Sequence, residues 1–321
     1  MKVKFNGELT EFLALIGGGP QGTLLGQLEY LVQSNDNADI IPPEDRFKYI
    51  DDLSILQLIC LTGLLTDYDF TQHVASDVGI DQQYLAPERH STQDTLNFVS
   101  NWTQENLMKL NEKKCKYMVF SRSESKFATR LLVNNTYLER VPTMKMLGVW
   151  VSEDLTWSKN CQEICIKAYS RISMITKLKY VGVSIEDLLD IYILYIRSVA
   201  EYCSVAFHSS LSQADIVKLE RIQMTCLKVI LGDMYLDYGS ALEMSNLETL
   251  YSRRTKRCLK FSLKSMKHSR MKSFFPINTR KHGQSQSAKE FMEVNWARTE
   301  TYRISAIPFC QRLVNEHFRA I

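Results

Sequence analysis

The sequence predicts an α+β fold in which short strands mixed with helices give way, near residue 157, to helices alone. Two observations carry this. Short apolar runs bounded by turn formers recur up to residue 157, punctuated by Asn6-Gly7 and by the glycines of 17–19. Beyond that point apolar residues recur at helical spacing, as in Ile164, Ala168, Ile172, Ile175 and Leu178. This order reads as an α+β domain followed by a helical one. At 321 residues, 45% hydrophobic and 23% charged, the chain can form two or three small domains with real cores.

Each element has a local reason. Residues 2–5 read as a strand entering a hairpin, because Asn-Gly favours the primed turns that match strand twist. Residues 17–20 read as a loop, 24–33 as a short helix, and 34–46, polar and containing Pro42-Pro43, as another loop. Residues 47–50 and 53–58 are apolar strands flanking Asp51-Asp52, which puts both carboxylates at a hairpin tip. Residues 91–110 read as a helix with Leu96, Val99 or Ser100, Trp102 or Thr103, and Leu107 on one side. Residues 115–121, 131–133 and 144–151 are strand-like. A helix over 159–179 comes next, then one from Ser184 with Asp187 placed for a capping box. Another starts at Ser212, with Ile216, Leu219, Ile222, Cys226 and Ile230 on one face and Gly232 as its stop. A last one covers 246–266.

The eight cysteines include no C-x-x-C pair. Cys161 and Cys165 stand at i, i+4, but no second ligand pair with zinc spacing follows. They read as reduced, mostly buried thiols of an intracellular protein, nuclear or cytoplasmic. Residues 184–200 are dense in apolar groups, yet Glu186, Asp187, Asp190 and Arg197 interrupt them. They read as a buried core helix, and no membrane partner is expected.

Net charge is only +3, but its distribution is uneven. Residues 1–110 carry 6 Lys/Arg against 16 Asp/Glu, whereas 249–289 carry 12 Lys/Arg and no acid. Such asymmetry points to nucleic-acid contact. Over 246–266 the spacing places Leu247, Leu250, Tyr251, Cys258 and Phe261 on one face. Arg253, Lys256, Arg257, Lys260 and Lys264 fall mostly on others, as phosphate contacts would require. A merely solvated face is the plainer alternative. His268 and His282 have no partners at metal spacing and read as surface residues.

Two motifs carry chemistry. Tyr49-Ile50-Asp51-Asp52 sets adjacent carboxylates at a hairpin, a compact site of hard oxygen donors suited to Mg²⁺, with Mn²⁺ a second possibility. About 26 residues earlier runs GGGPQGT (17–23). Its glycines let backbone approach a ligand closely, and Gln21 offers a donor and an acceptor. Either motif alone has a bland reading as a solvated turn.

In this order and at this separation the two resemble the palm of reverse transcriptases of the non-LTR retrotransposon kind. Gly18, Pro20, Gln21, Gly22 and Thr23 match the family's G-x-P-Q-G-[ST]; Tyr49, Asp51 and Asp52 match [YF]-x-D-D. Further along, LMKLNEKKCKYMVF (107–120) is similar to N-x-x-K-[TC]-x-x-M, and KMLGVWVSEDLTW (145–157) to the K-x-L-G-[VI] strand pair. LYIRSVAEYCSVAFHSS and KLERIQMTCLKVILG resemble the helical thumb of the subgroup, and RTETYRISAIPFCQRLVN the tail of many such elements.

The resemblance implies a partial palm over 1–157, a helical thumb over 158–235 and a basic helical extension over 236–321. It implies RNA-templated DNA synthesis from a DNA primer with deoxynucleoside triphosphates. Asp51 and Asp52 would be catalytic and hold metal. Gln21, Gly22, Tyr49 and Lys114 would border the nucleotide, and the K-x-L-G-[VI] pair would grip the primer end. Two departures stand out. Where the family usually has L-S-P, the sequence has Leu25-Gly26-Gln27. The family's first metal-binding aspartate precedes the glutamine loop, and residues 1–16 contain no aspartate. The sequence therefore leads us to expect a chain that starts partway through the polymerase. The competing expectation is a nucleic-acid-binding relic without polymerase activity.

Overall fold

A computed structural model describes residues 4–5, 8–9, 46–49, 52–55, 92–106, 108, 110–120, 130–278 and 291–319. The class is α+β, with short strands and many helices. The chain divides into two compact units, 1–117 with 127–140, and 118–126 with 141–321.

In the first unit, β1 (Lys4–Phe5) and β2 (Glu8–Leu9) pair with Phe5 opposite Glu8, on either side of Asn6-Gly7. Strands β3 (Arg46–Tyr49) and β4 (Asp52–Ile55) pair antiparallel, closing at Tyr49 opposite Asp52. Helix α1 (Thr92–Glu105) buries Thr95, Val99, Ser100, Trp102 and Thr103. Strand β5 (Lys116–Tyr117) runs parallel to β8 (Glu139–Arg140). Between them in sequence, β6 (Leu132–Val133) and β7 (Thr136–Tyr137) form a hairpin. Its loop, Asn134-Asn135, has φ of 47° and 63°, the left-handed pair a primed turn demands and asparagine tolerates. The Gln93 amide fixes α1 to β6: its Oε1 accepts from Leu132 N at 2.9 Å and its Nε2 donates to Leu132 O at 2.8 Å. Of the strand expected over 115–121, the described residues that join a ladder are Lys116 and Tyr117.

The second unit opens with β9 (Thr143–Met146) and β10 (Val149–Ser152), an antiparallel hairpin. Helix α2 (Ser158–Tyr180) follows, burying Ile164, Ala168, Ile172 and Ile175 along one stripe. Helix α3 (Ile185–Ile191) is capped by Ser184, whose Oγ accepts from Asp187 N. It runs on through a π-helical turn, Tyr192–Arg197, into Ser198–Ala200. Leu188, Tyr192, Ile196 and Ala200 recur every fourth residue and are all fully buried. The interrupting charges therefore lie off the buried stripe. No described helix is long and apolar enough to cross a membrane.

A single helical turn, α4 (Ser204–Phe207), leads to α5 (Gln213–Leu231). Ser212 caps α5 and Gly232, at φ 59°, stops it. Helices α6 (Tyr238–Met244) and α7 (Leu250–Ser265) follow. Thr249 caps α7, so the helix starts four residues later than the 246–266 span expected. The short α8 (Glu300–Arg303) and α9 (Ala306–Arg319) complete the unit.

One core joins α2, the α3 stripe and α5; a second gathers Cys258, Phe275, Met292, Cys310 and Val314. Helix α7 contributes Leu250 to the first and Cys258 to the second, tying the two cores together. Two buried amides on α9 clamp extended backbone: Asn315 Oδ1 accepts from Met292 N at 2.7 Å, and Gln311 Oε1 from Asn295 N at 2.8 Å. Every cysteine among the described residues is a free thiol, four of them buried.

Candidate functional site

Three places hold the residues that the sequence singles out. The first is the β3–β4 hairpin. Tyr49 ends one strand and Asp52 begins the other, leaving Ile50 and Asp51 between them. The sequence expectation of a loop at Asp51-Asp52 is corrected by one position, because Asp52 already belongs to the ladder. Asp51, Gln21, Gly22 and the helix expected over 24–33 lie outside the described residues. Aspartate carboxylates are hard oxygen donors, the kind Mg²⁺ takes. Among the described residues there is no cluster of three or more His, Cys, Asp or Glu placed to hold an ion. Lys114 is exposed in the turn before β5, its N–H donating to Asn111 O at 2.9 Å.

The second place is the β9–β10 hairpin, which carries Lys145, Leu147, Gly148 and Val149. Leu147 and Gly148 form its loop with φ of 45° and 87°. A glycine is needed there twice over: a Cβ at Gly148 would sit 3.2 Å from the Tyr202 ring. Tyr202 Oη donates to Leu147 O at 2.7 Å, so the loop is held by the residue two positions beyond the α3 stripe. Beside it lies a cleft of about 400 Å³ with Trp150, Asn160, Arg171 and Tyr202 in its lining. Asn160 Oδ1 accepts from Trp150 N at 3.1 Å, while its Nδ2 is buried with no partner. Lys159 stands over the Trp150 ring, 5.2 Å from its centroid. The sequence pattern marked this hairpin but gave no reason to single out Asn160 or Tyr202, which reach it only through the fold.

The chain matches no family model, no curated protein and no solved structure.

The third place is α7, and here the sequence expectation needs correcting. The segment itself has no acid, but acids from elsewhere meet it. Glu201, only 2% exposed, accepts from Arg253 Nε at 2.6 Å and Arg257 Nη2 at 2.9 Å. This pairing holds the Arg253 guanidinium above its usual range. Burial, with Arg253 nearby, pushes Arg197 the other way. Lys256 pairs with Glu248 at 2.6 Å. Arg254 is not on a polar face at all: it is fully buried, on the same stripe as Leu250 and Cys258. Tyr251, expected on the apolar face, is exposed. That leaves Lys260 and Lys264 exposed, with Arg257 half exposed beside them. These three border an open groove of about 300 Å³ whose other wall is residues 201–205.

Arg254 is held by an imidazole. Its Nε donates to His208 Nδ1 at 3.4 Å, and the His208 Nε2–H faces Thr255 Oγ1 at 2.9 Å. Thr255 Oγ1 donates in turn to Tyr251 O, which leaves it free to accept from Nε2 and fixes the neutral tautomer. Burial, together with the Arg254 guanidinium, holds the His208 pKa down at about 4.

Proposed function

We propose that the chain supplies palm, thumb and C-terminal parts of a non-LTR retrotransposon reverse transcriptase, an RNA-directed DNA polymerase. The observation that carries the reading is the YIDD hairpin: Tyr49 pairs with Asp52 across Ile50-Asp51, so both acidic residues share one hairpin end. The second hairpin of the expected order, K-x-L-G-V, supports it, with its loop held by Tyr202 against the helices that follow. In this reading Asp51 and Asp52 hold Mg²⁺ or Mn²⁺, and Gln21, Gly22, Tyr49 and Lys114 border the incoming deoxynucleoside triphosphate. When bound, the metal supplies activation of the primer hydroxyl and stabilisation of the leaving pyrophosphate. The cleft by Gly148, Trp150 and Asn160 is on the primer side. RNA template and DNA primer are the partners, inside the cell.

A second reading keeps the nucleic acid and drops the catalysis. The exposed Arg257, Lys260 and Lys264 of α7 favour it, since they need no metal to bind phosphate.

Primer extension on an RNA template with Mg²⁺ separates the two. The test compares the 321 residues by themselves with the product of the longest reading frame that contains them. We expect no extension from the 321 residues, because two-metal transfer needs ligands that position both ions and only the Asp51-Asp52 pair matches the family's set. Extension by the longer product, lost in Asp51→Asn, supports the polymerase. Binding without extension in both supports the second reading. Neither binding nor extension would end both.

A further inference from the structure

We infer that the groove between residues 201–205 and α7 takes a nucleotide of single-stranded nucleic acid, phosphates on its cationic rim and the base on its apolar floor. This rests on the reading of α7 as a nucleic-acid interface and adds which form of nucleic acid it accepts.

The structure sorts the basic residues of α7 by what already occupies them. Arg254 is buried, Arg253 is pinned by Glu201 and Lys256 is engaged by Glu248. Lys260 and Lys264 face solvent, and Arg257, although it pairs with Glu201, stays half exposed; all three border the groove. Their spacing of three and four residues puts them on one face, over about 10 Å of helix. Glu201 also borders the groove, but its carboxylate is engaged by Arg253 and Arg257, with Arg197 in electrostatic reach. The cations around it outnumber it, so an anion finds net positive charge there.

The floor differs from the rim. Val205 and Phe261 line it, and Ser204, also in the lining, has a buried Oγ with no partner. A volume of about 300 Å³ is at the small end of ligand-sized sites. A duplex would touch the rim with its phosphates and leave the floor empty, because its bases are stacked and paired. A single strand can turn a base onto an aromatic ring while its phosphates stay on the lysines.

The test is fluorescence anisotropy with a labelled oligothymidylate and a duplex of equal length, across a salt series. The proteins are wild type, Lys260→Glu/Lys264→Glu and Phe261→Leu. We expect wild type to prefer the single strand at least fivefold, the low end of what one base–aromatic stack contributes. Phe261→Leu should remove that preference and leave the salt slope unchanged. The double charge reversal should reduce the slope by about 1.4 if two phosphates are lost. Phe261 also packs on the second core, so melting curves must accompany it. Photocrosslinking of a 5-iodouracil oligonucleotide to wild type is independent of folding defects and should label the peptides holding 201–205 or Phe261. Equal affinity for both forms, with crosslinks elsewhere, would overturn the groove while leaving α7 a phosphate-binding face. Failure of wild type to bind either form would overturn the reading of α7 itself.

Discussion

A fully buried arginine on a helix otherwise read as a phosphate-binding surface is the feature a sequence reader would least expect. Arg254 offers Nε to His208, but its Nη1 and Nη2 are buried without a hydrogen-bond partner. A buried cation whose groups are unmatched costs more than an apolar side chain of similar length. We therefore expect Arg254→Met to leave stability unchanged or raise it. Arg254→Ala should lose about 2–4 kcal/mol through the space it opens. Urea unfolding of the two variants checks this, and a Met variant as damaged as the Ala variant would refute it. His208 gives a pH prediction. Its folded pKa of about 4 lies below the unfolded value near 6.5. Between those values the unfolded chain binds the extra proton, so this contribution to stability is lost as pH falls from 6.5 towards 4, by about 3 kcal/mol in all. Melting temperature should decline over that window. His208→Gln, which keeps an acceptor and a donor but does not titrate, should flatten the decline between pH 6.5 and 5. Gly148→Ala, strained at φ 87° and crowded by Tyr202, should cost about 1–2 kcal/mol.

At the scale of elements, single carboxylates act as struts. Asp215, 2% exposed, sits at the start of α5 and accepts from Ser158 Oγ at 2.8 Å, Ser212 Oγ at 2.7 Å and Lys218 Nζ at 2.9 Å. Burial pushes its pKa up, but the hydrogen bonds from Ser212, Lys218 and Ser158 outweigh burial and hold it below the usual carboxylate range. One residue thus holds the Ser212 cap of α5 and ties that helix to the first turn of α2. Glu201 plays the same part between the end of the α3 stripe and α7. Its replacement should have two effects of opposite sign. Glu201→Gln should lower stability by about 2 kcal/mol, since hydrogen bonds to a charged group are lost. It should also tighten nucleic-acid binding, because Arg253 and Arg257 are released from their counter-charge beside the groove. Paired urea melts and anisotropy titrations of the one variant test this; a fall in both quantities would show that Glu201 orders the binding face instead.

At the scale of the whole molecule, the cores packed by α2 through α9 lie within 141–321. Among the described residues, these clusters draw all their side chains from that stretch, and hydrophobic burial is the main drive to fold. Residues 141–321 expressed by themselves should unfold in one cooperative transition by circular dichroism. A broad, non-cooperative melt would show that the first unit is needed to complete the fold.

Much of this protein is local and therefore legible in its sequence. Ser184, Ser212 and Gly232 act through backbone geometry within a few residues, and the helix ends they imply are where the structure has them. The stripes of α2 and α5 follow from helical period alone. The α+β class follows from the order of those patterns. What the sequence could not settle are pairings between distant residues. Helical period puts Arg254 in line with Leu250 and Cys258, but only the packed core, with His208 46 positions away, shows that it is buried. An acid-free run reads as a free cationic face until Glu201 folds back onto Arg253, 52 positions on. Asn160 reaches the β9–β10 hairpin, and Tyr202 its loop, only because α2 and the α3 stripe pack beside it. Local rules fix how each segment is shaped, since backbone sterics and capping act over a turn or two. Which charges remain free to meet a ligand depends on long-range packing, and tertiary structure alone decided that.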